Sequence, residues 1–517
     1  MERFDVIIVG AGISGIGAAC QLRRRRPGRT FAVLESRDRI GGTWDLFRYP
    51  GVRSDSDMFT LGYAFRPWRG PRAIADGASI RNYVEDTARA FGVDREIRFG
   101  HRVRAADWDD TAAQWTVTVE HGGELRTLSC RWLALCAGYY DFEAGHRPDF
   151  PGEQEFRGRI VHPQQWPADL DHDGKRVIVI GSGATAMTLV PALARTAAKV
   201  IMVQRTPSYV VSQPRDDPFA ERLPGWLPSR LRPWLVRWRN LLLTQASYEL
   251  SRRRPEEMKA RLRRGLRHAL PEPYDLDTHF TPPYQPWDQR LCVVPDGDLF
   301  HAINEGRVEV VTGRIDTFTP TGLRLRSGRE LDAELIITAT GLTVRIAGGI
   351  RLSVDGVPVD PGRTVTYRGV MLCGVPNLSL VIGYVNASWT LRADLVSGYL
   401  VRLLRLMDRR GFDRVVPEPP KGDLGDRPLL DLRSGYIARA AAALPKQGKR
   451  SPWLIHQNYL RELWPLRFRP LRFRPLRDGI LQFRRRAAPD HGRSPVDHDR
   501  AANGSRTNSP TGARGSP

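Results

Sequence analysis

An α/β fold with two doubly wound, Rossmann-like units is the class this sequence predicts, on three observations. A strand, a glycine turn, a helix and a second strand ending on an acid follow one another over residues 6–35. The same unit returns at residues 177–206, with Ala in the third glycine place and no acid at the end. Each unit is later followed by an apolar closing strand, Leu133–Cys136 for the first and Leu335–Gly341 for the second.

In the first unit, Val6–Val9 reads as a buried strand and Gly10, Gly12, Ser14 and Gly15 form the turn. Gly10 permits the sharp bend, Gly12 lets backbone approach a pyrophosphate, and Gly15 lets the helix, which runs to about Arg24, pack on the strand. The helix start offers unpaired N–H groups and a positive dipole end to phosphate. Phe31–Leu34 is the second strand, and Glu35 at its end is placed to hold a ribose 2′-OH. Residues 41–55 are too rich in Gly, Pro and aromatics for a regular element and read as a functional loop. Short alternating strands fill residues 97–135, the clearest being Trp-Thr-Val-Thr-Val-Glu.

The second unit has Val177–Ile180, the turn Gly181, Ser182, Gly183, Ala184, Thr185, Ala186, and the strand Val200–Val203 ending in Gln204, Arg205 and Thr206. With no carboxylate to claim a 2′-OH and Arg205 able to pair a 2′-phosphate, this site favours NADP(H) over NAD(H). Residues 213–285 interrupt the unit with a helical insert in which Leu227, Leu231, Trp234, Leu235, Trp238, Leu241 and Leu242 recur at helical spacing among arginines. It is expected to form a cap over the active site with leucines inward and arginines solvated; the alternative is a basic amphipathic surface touching anionic lipid. From about Arg345 the chain rejoins the first unit, with a strand at Leu380–Tyr384 and a helix from the turn at 385–390 to about Met407, whose start faces the flavin. The expected division is therefore 1–145 and 345–485 for a FAD unit, 146–212 and 286–344 for an NADPH unit, and 213–285 for the insert. A Pro-Leu-Arg-Phe-Arg repeat begins at Pro465, and residues 486–517 have the composition of a disordered tail.

Composition bounds these readings. The 517 residues are 41% hydrophobic and 26% charged, as in an ordinary multi-domain enzyme. Five scattered cysteines without a C-x-x-C pair suggest neither a disulfide framework nor a metal site, so no metal is expected and a reducing cytoplasm is the natural compartment. The charge of +22 is arginine spread along the chain and densest in the insert and tail, so no nucleic-acid partner is expected. Two dinucleotide sites with different strand ends imply FAD and NADPH exchanging a hydride. Disulfide reductases share that layout but need a redox cysteine pair after the first unit, where this chain has Gly41-Gly42-Thr43-Trp44. Oxygen is then the expected electron acceptor.

Two further patterns name a family. Phe156, Gly158, His162, Trp166 and Pro167 make F-x-G-x-x-x-H-x-x-x-W-P, and residues 42–55 make G-x-W-x-x-x-x-Y-P-G-x-x-x-D. Both resemble the fingerprints of Baeyer–Villiger flavin monooxygenases, and longer stretches such as Pro286–Phe300 are similar to members of that family. The resemblance implies insertion of one O2 oxygen into ketones through a C4a-peroxyflavin, giving esters or lactones, and oxygenation of thioether and thioamide sulfur. It implies FAD contacts at Ser14, Glu35, Thr43, Trp44, Asp45, Leu46, Asp55 and Val103. It implies NADP contacts at Arg53, Ser54, Asp55, Gly181, Ser182, Gly183, Ala184, Thr185, Ala186, Met187, Arg205 and Thr206. Arg290 falls on the family's catalytic arginine, with Asp55 holding it, and His162 would link the two units structurally. Gln289 stands where many members have Lys, which leaves 2′-phosphate recognition mainly to Arg205. A flavin N- or S-oxygenase acting through hydroperoxyflavin is the rival enzyme. A membrane-surface or nucleic-acid-binding protein on a flavoprotein scaffold is the rival from another class.

Overall fold

The strand Glu2–Val9 lies parallel to Phe31–Leu34 on one side and to the end of Glu124–Leu135 on the other, with Val9 opposite both Leu34 and Leu135. Where they pair, Val6–Val9, Phe31–Leu34 and Leu133–Leu135 are buried continuous apolar runs, which is how parallel strands between helices read. The computed structural model describes residues 1–70, 72–422, 425, 427–430, 432–468 and 480–485. Among them the first sheet has nine strands, extended by the antiparallel meander Arg102–Asp109, Gln114–His121 and Glu124–Leu135. Two late segments complete it: Arg351–Val354 pairs beside Arg102–Asp109, and Leu378–Leu380 beside Leu133–Leu135. That second strand sits just ahead of the expected Leu380–Tyr384, and the helix after it, Trp389–Arg410, packs on the glycine-turn helix Ile13–Arg25.

The second sheet is parallel and five-stranded, in the order Val308–Thr312, Lys199–Gln204, Arg176–Ile180, Leu335–Thr338, Arg159–Val161. Its two faces carry separate apolar cores, as do those of the first sheet. The chain passes between the sheets along Tyr140–Gly145 and Leu342–Val344, which pair antiparallel. Residues 41–55 are not wholly irregular, since Thr43–Leu46 closes one helical turn. The repeats from residue 469 onward and the tail after residue 485 lie outside the described residues, while Trp464–Phe468 forms a π-helical turn.

The insert contains the helices Pro218–Arg222, Leu231–Arg253, Pro255–Ala269 and Leu276–Phe280, and the parallel strands Val210–Gln213 and Cys292–Pro295 close its base. Its long helix follows the expected orientation only in part: Leu241 is buried and Trp238 packs beside it, but three other members of the stripe turn outward. Leu231, Trp234 and Leu242 are 47%, 53% and 49% exposed. Beside Leu241 the inward positions are taken by Val236, Asn240 and Arg237, whose Nη1 donates to the carbonyls of Phe59, Thr60 and Gly62 at 2.8, 3.1 and 2.7 Å. Those carbonyls end the short helix Met58–Leu61 and lack helical partners, so a cation placed on them satisfies three acceptors at once. That gain turns Leu231, Trp234 and Leu242 out to solvent.

Candidate active site

A cavity of about 550 Å³ extends from the acid end of the first unit to Arg290. Gly10, Gly12 and Ser14 line it at the glycine turn. Gly15 lies behind them, where an added Cβ would fall 1.8 Å from the Gly10 carbonyl oxygen, so this approach of helix to strand admits only glycine. Glu35 is 5% exposed, and its carboxylate accepts the N–H of Ala11 at 2.7 Å and that of Arg37 at 3.0 Å. The acid is thus held rigid against the turn it faces, with acceptor capacity left for a ribose hydroxyl. Val103, Thr43 and Trp44 also line the cavity.

Asp45 and Leu46 do not line it. The helical turn carries the Asp45 carboxylate away from the groove to a fully buried position among Arg37, Arg48 and Arg81. Burial works against that charge, but Arg37 and then Arg48 outweigh it and keep the carboxyl below its usual range. Arg37 itself lines the cavity, so Asp45 serves the site by orienting an arginine.

At the other end Arg290 Nη1 stands 3.5 Å from Asp55 Oδ2, an ion pair longer than an ordinary hydrogen bond. The two side chains are 31% and 35% exposed, and both line the cavity. Three residues earlier, Trp287 holds φ at +68°, an unusual backbone for an indole-bearing residue and a strain that clusters at functional sites. Tyr139 and Tyr140 complete this end, their hydroxyls 2.9 Å apart, and Tyr436 packs on Tyr140 with ring centroids at 6.4 Å. Burial raises the pKa of all three phenols far above neutrality, so they stay uncharged and Asp55 is the carboxylate partner of Arg290 here. Tyr139 stacks on Trp389 at 5.4 Å, and Trp389 Nε1 donates to Ser14 Oγ at 2.6 Å. The start of the helix Trp389–Arg410 therefore faces the cavity, as expected. Tyr139 and Tyr140 were legible only as the two residues after Ala137-Gly138, and Tyr436 carried no local signal.

His162 joins the crossing strands. Its Nε2 is 3.2 Å from the Gly341 carbonyl, and its Nδ1 accepts the Gln164 N–H at 3.2 Å, which fixes the Nε2–H tautomer. The imidazole lies so flat on Gly145 that an added Cβ there would be 1.9 Å from Cε1. Burial lowers its pKa, so it is neutral at neutral pH. Arg53 crosses the same gap: its guanidinium pairs with both oxygens of Asp298 and donates to the Met187 carbonyl at 3.3 Å. Arg53 thus bridges the units while also lining the cavity. Ser54 and Asp55 remain on the cavity wall.

The second glycine turn is more open. Gly183, Ala184 and Arg205 are exposed at its mouth, whereas Ala186 and Met187 are buried in the core behind it. Ser182 Oγ donates to the Thr206 carbonyl at 2.8 Å, tying turn and strand end together. Ala184 and Thr185 reach the cavity, while Gly181, Ser182, Gly183, Arg205 and Thr206 do not line it. No insert residue from 213 to 285 lines the cavity either, so the insert is not its roof.

Residues 73–345 match the family model described as flavin-binding monooxygenase-like, and residues 8–72 match an NAD(P)-binding Rossmann-like domain. The chain is 52% identical over 489 residues to the FAD-containing monooxygenase EthA of Mycobacterium tuberculosis, covering 94% of this chain and 99% of that protein. It belongs to the flavin-binding monooxygenase-like family. The probable FAD-binding monooxygenase AlmA of Acinetobacter baylyi is 44% identical, with 93% and 96% covered. In fold the monooxygenase is similar to an oxidized steroid monooxygenase bound to NADP, at TM-score 0.68 and 24% identity over 81% of this chain and 88% of that one. An open cyclohexanone monooxygenase matches at TM-score 0.69 and 21% identity over 81% and 90%. The Rossmann-like match falls on the turn assigned to FAD because both dinucleotides present the same ADP half to it.

Burial pushes the thiols of Cys20, Cys130, Cys136, Cys292 and Cys373 up to about 12. None is paired, and none is a thiolate at neutral pH, which removes disulfide-reductase chemistry from this monooxygenase.

Proposed function

We propose that this monooxygenase is a Baeyer–Villiger enzyme that consumes NADPH and O2 to convert a ketone to an ester or lactone, with water and NADP⁺ as the other products. Thioether and thioamide sulfur would be further substrates. The observation that carries the reading is Arg290 facing Asp55 inside a wall of neutral tyrosines, at the end of the cavity opposite Glu35. Bound FAD would supply O2 activation, and bound NADPH the hydride that reduces the flavin. Glu35, the Gly10–Gly15 turn and Trp389 would hold the first cofactor, while Arg205, Thr206 and the start of Ala184–Leu193 would hold the second.

Arg290 then has a defined task. A permanent cation in a partly dried cavity stabilises negative charge that develops on oxygen during attack on a carbonyl. Asp55 orients it, and the three phenols exclude water without adding a competing anion. An oxygenase of soft heteroatoms alone would not require this cation. The unpaired thiols support a reducing, cytoplasmic setting.

The test is NADPH oxidation by the FAD-loaded protein with and without a medium-chain 2-ketone, with ester followed by mass. Ester formed in step with NADPH consumed is expected. Peroxide without ester from any ketone, together with sulfoxide from thioethers, would replace this reading with a heteroatom oxygenase.

A further inference from the structure

The long insert helix Leu231–Arg253 is amphipathic in reverse. Leu231, Trp234, Leu235, Trp238 and Leu242 follow i, i+3, i+4, i+7, i+11 spacing, which sets them on one face of a helix. On that face Leu231, Trp234 and Leu242 are exposed and Leu235 is half-buried, Trp238 packs beside Leu241, Tyr384 and Leu391, and Arg237 and Asn240 take inward positions a core would give to leucine. The stripe continues onto a second element. Trp238 meets Tyr459 edge to face at 6.2 Å, and the helix beginning at Tyr459 presents Leu460, Trp464 and Phe468 to solvent. Several tryptophans and leucines exposed together, on two elements far apart in sequence, exceed the scattered apolar exposure of an ordinary surface.

Charge identifies the occupant. Arg230 adjoins Leu231, Arg461 adjoins Leu460, and Arg467 lies over the Phe468 ring at 5.7 Å. None of the three makes an ion pair among the described residues, whereas Arg252, Arg253, Arg254 and Arg263 of the insert do. Tryptophan and leucine bordered by unpaired arginine match the two layers of a lipid surface, acyl chain beneath anionic headgroup. A second copy fits poorly, because a two-fold contact through this face would bring the same arginines against themselves. Among the described residues no helix is long and apolar enough to cross a membrane.

We propose that the outward face of Leu231–Arg253, with the Tyr459–Phe468 segment, docks this protein onto anionic lipid bilayers as a peripheral, in-plane contact. Trp234 and Leu242, the most exposed part of the face together with Leu231, do not line the cavity, so docking through them and turnover are separable.

Flotation of the FAD-loaded full chain with vesicles tests it, using phosphatidylglycerol mixed with phosphatidylcholine against phosphatidylcholine alone. Binding to the anionic vesicles is expected, weakening as salt rises, with tryptophan emission quenched by brominated acyl chains. The double variant Trp234→Glu, Leu242→Glu should bind at least about tenfold more weakly, while its FAD content and NADPH oxidation stay at the parent level. Because the basic tail is common to both proteins, the difference reports the face alone. The proposal is overturned if the parent ignores anionic vesicles or if the variant floats equally well. A parent dimer that the variant converts to monomer, without vesicle binding, would assign the face to a second copy instead.

Discussion

The two glycine turns have the same strand, bend and helix, yet the chain finishes them differently. The first is enclosed: Glu35 is buried and doubly hydrogen bonded, Ser14 is tied to Trp389, and Gly15 touches Gly10. The second is open, with Gly183, Ala184 and Arg205 at the surface and an exposed guanidinium in place of the buried acid. Enclosure suits a dinucleotide that stays through many turnovers, and openness one that must leave after giving up its hydride. Around both, His162 and Arg53 fasten the units at their crossing point.

The comparison is broken most directly at Arg290, which belongs to neither turn. Arg290→Ala should lower ester formation by about 10²- to 10³-fold, the scale of losing one principal oxyanion donor, with flavin reduction by NADPH nearly unchanged in stopped-flow absorbance. Equal loss of both steps would make Arg290 a nucleotide-binding residue. Next is Glu35→Ala, which strands two N–H groups and removes the ribose acceptor. Hydrogen bonds to a charged group at this scale predict FAD binding about 100-fold weaker by equilibrium titration. NADP⁺ affinity of the reloaded protein should not move. If FAD is lost no more readily than from the parent, Glu35 does not mark the resident cofactor.

Arg205→Ala sharpens the same contrast from the open side. Losing one charge-assisted partner of a 2′-phosphate should raise KM for NADPH by about 10- to 100-fold and leave NADH turnover nearly constant. A parallel rise for both would shift phosphate recognition to another group and return Arg205 to a solvated strand end.

The parts written locally were readable in the chain. Glycine spacing, buried strand runs and the residue closing each second strand fix both turns, because a bend, a close approach and a terminal charge each demand a residue type in place. The insert shows where local reading stops: periodicity reveals that Leu231–Arg253 has an apolar face but not which side packs inward. That choice was made by three carbonyls at Phe59, Thr60 and Gly62, far away in sequence, which Arg237 satisfies. Tyr436 next to Tyr140, and Asp298 as the partner of Arg53, are likewise long-range pairings with no nearby signature. Asp45 stays off the cavity wall for a local reason, since one helical turn at Thr43–Leu46 rotates it out of the groove.

The smallest expected effect concerns the crossing point itself. Burial lowers the pKa of His162 below its unfolded value near 6.5, so the unfolded chain takes up the proton first as pH falls. The stability carried by the neutral ring is complete above that value and is lost as pH drops from it through the folded pKa. His146 and His279 are lowered by burial as well, so His162→Gln should remove only its share of the acid-side decline. A glutamine amide can still donate to the Gly341 carbonyl, so Tm at pH 8 should change by about 2 °C at most, and the fall as pH drops below about 6.5 should become shallower. Coupling would show in the reduction rate: if the two units move about this contact, the parent's hydride transfer slows across the same interval and the variant's does not. Identical pH profiles for parent and variant would reduce His162 to packing on Gly145 and leave the Arg53–Asp298 pair as the link that sets the units' arrangement.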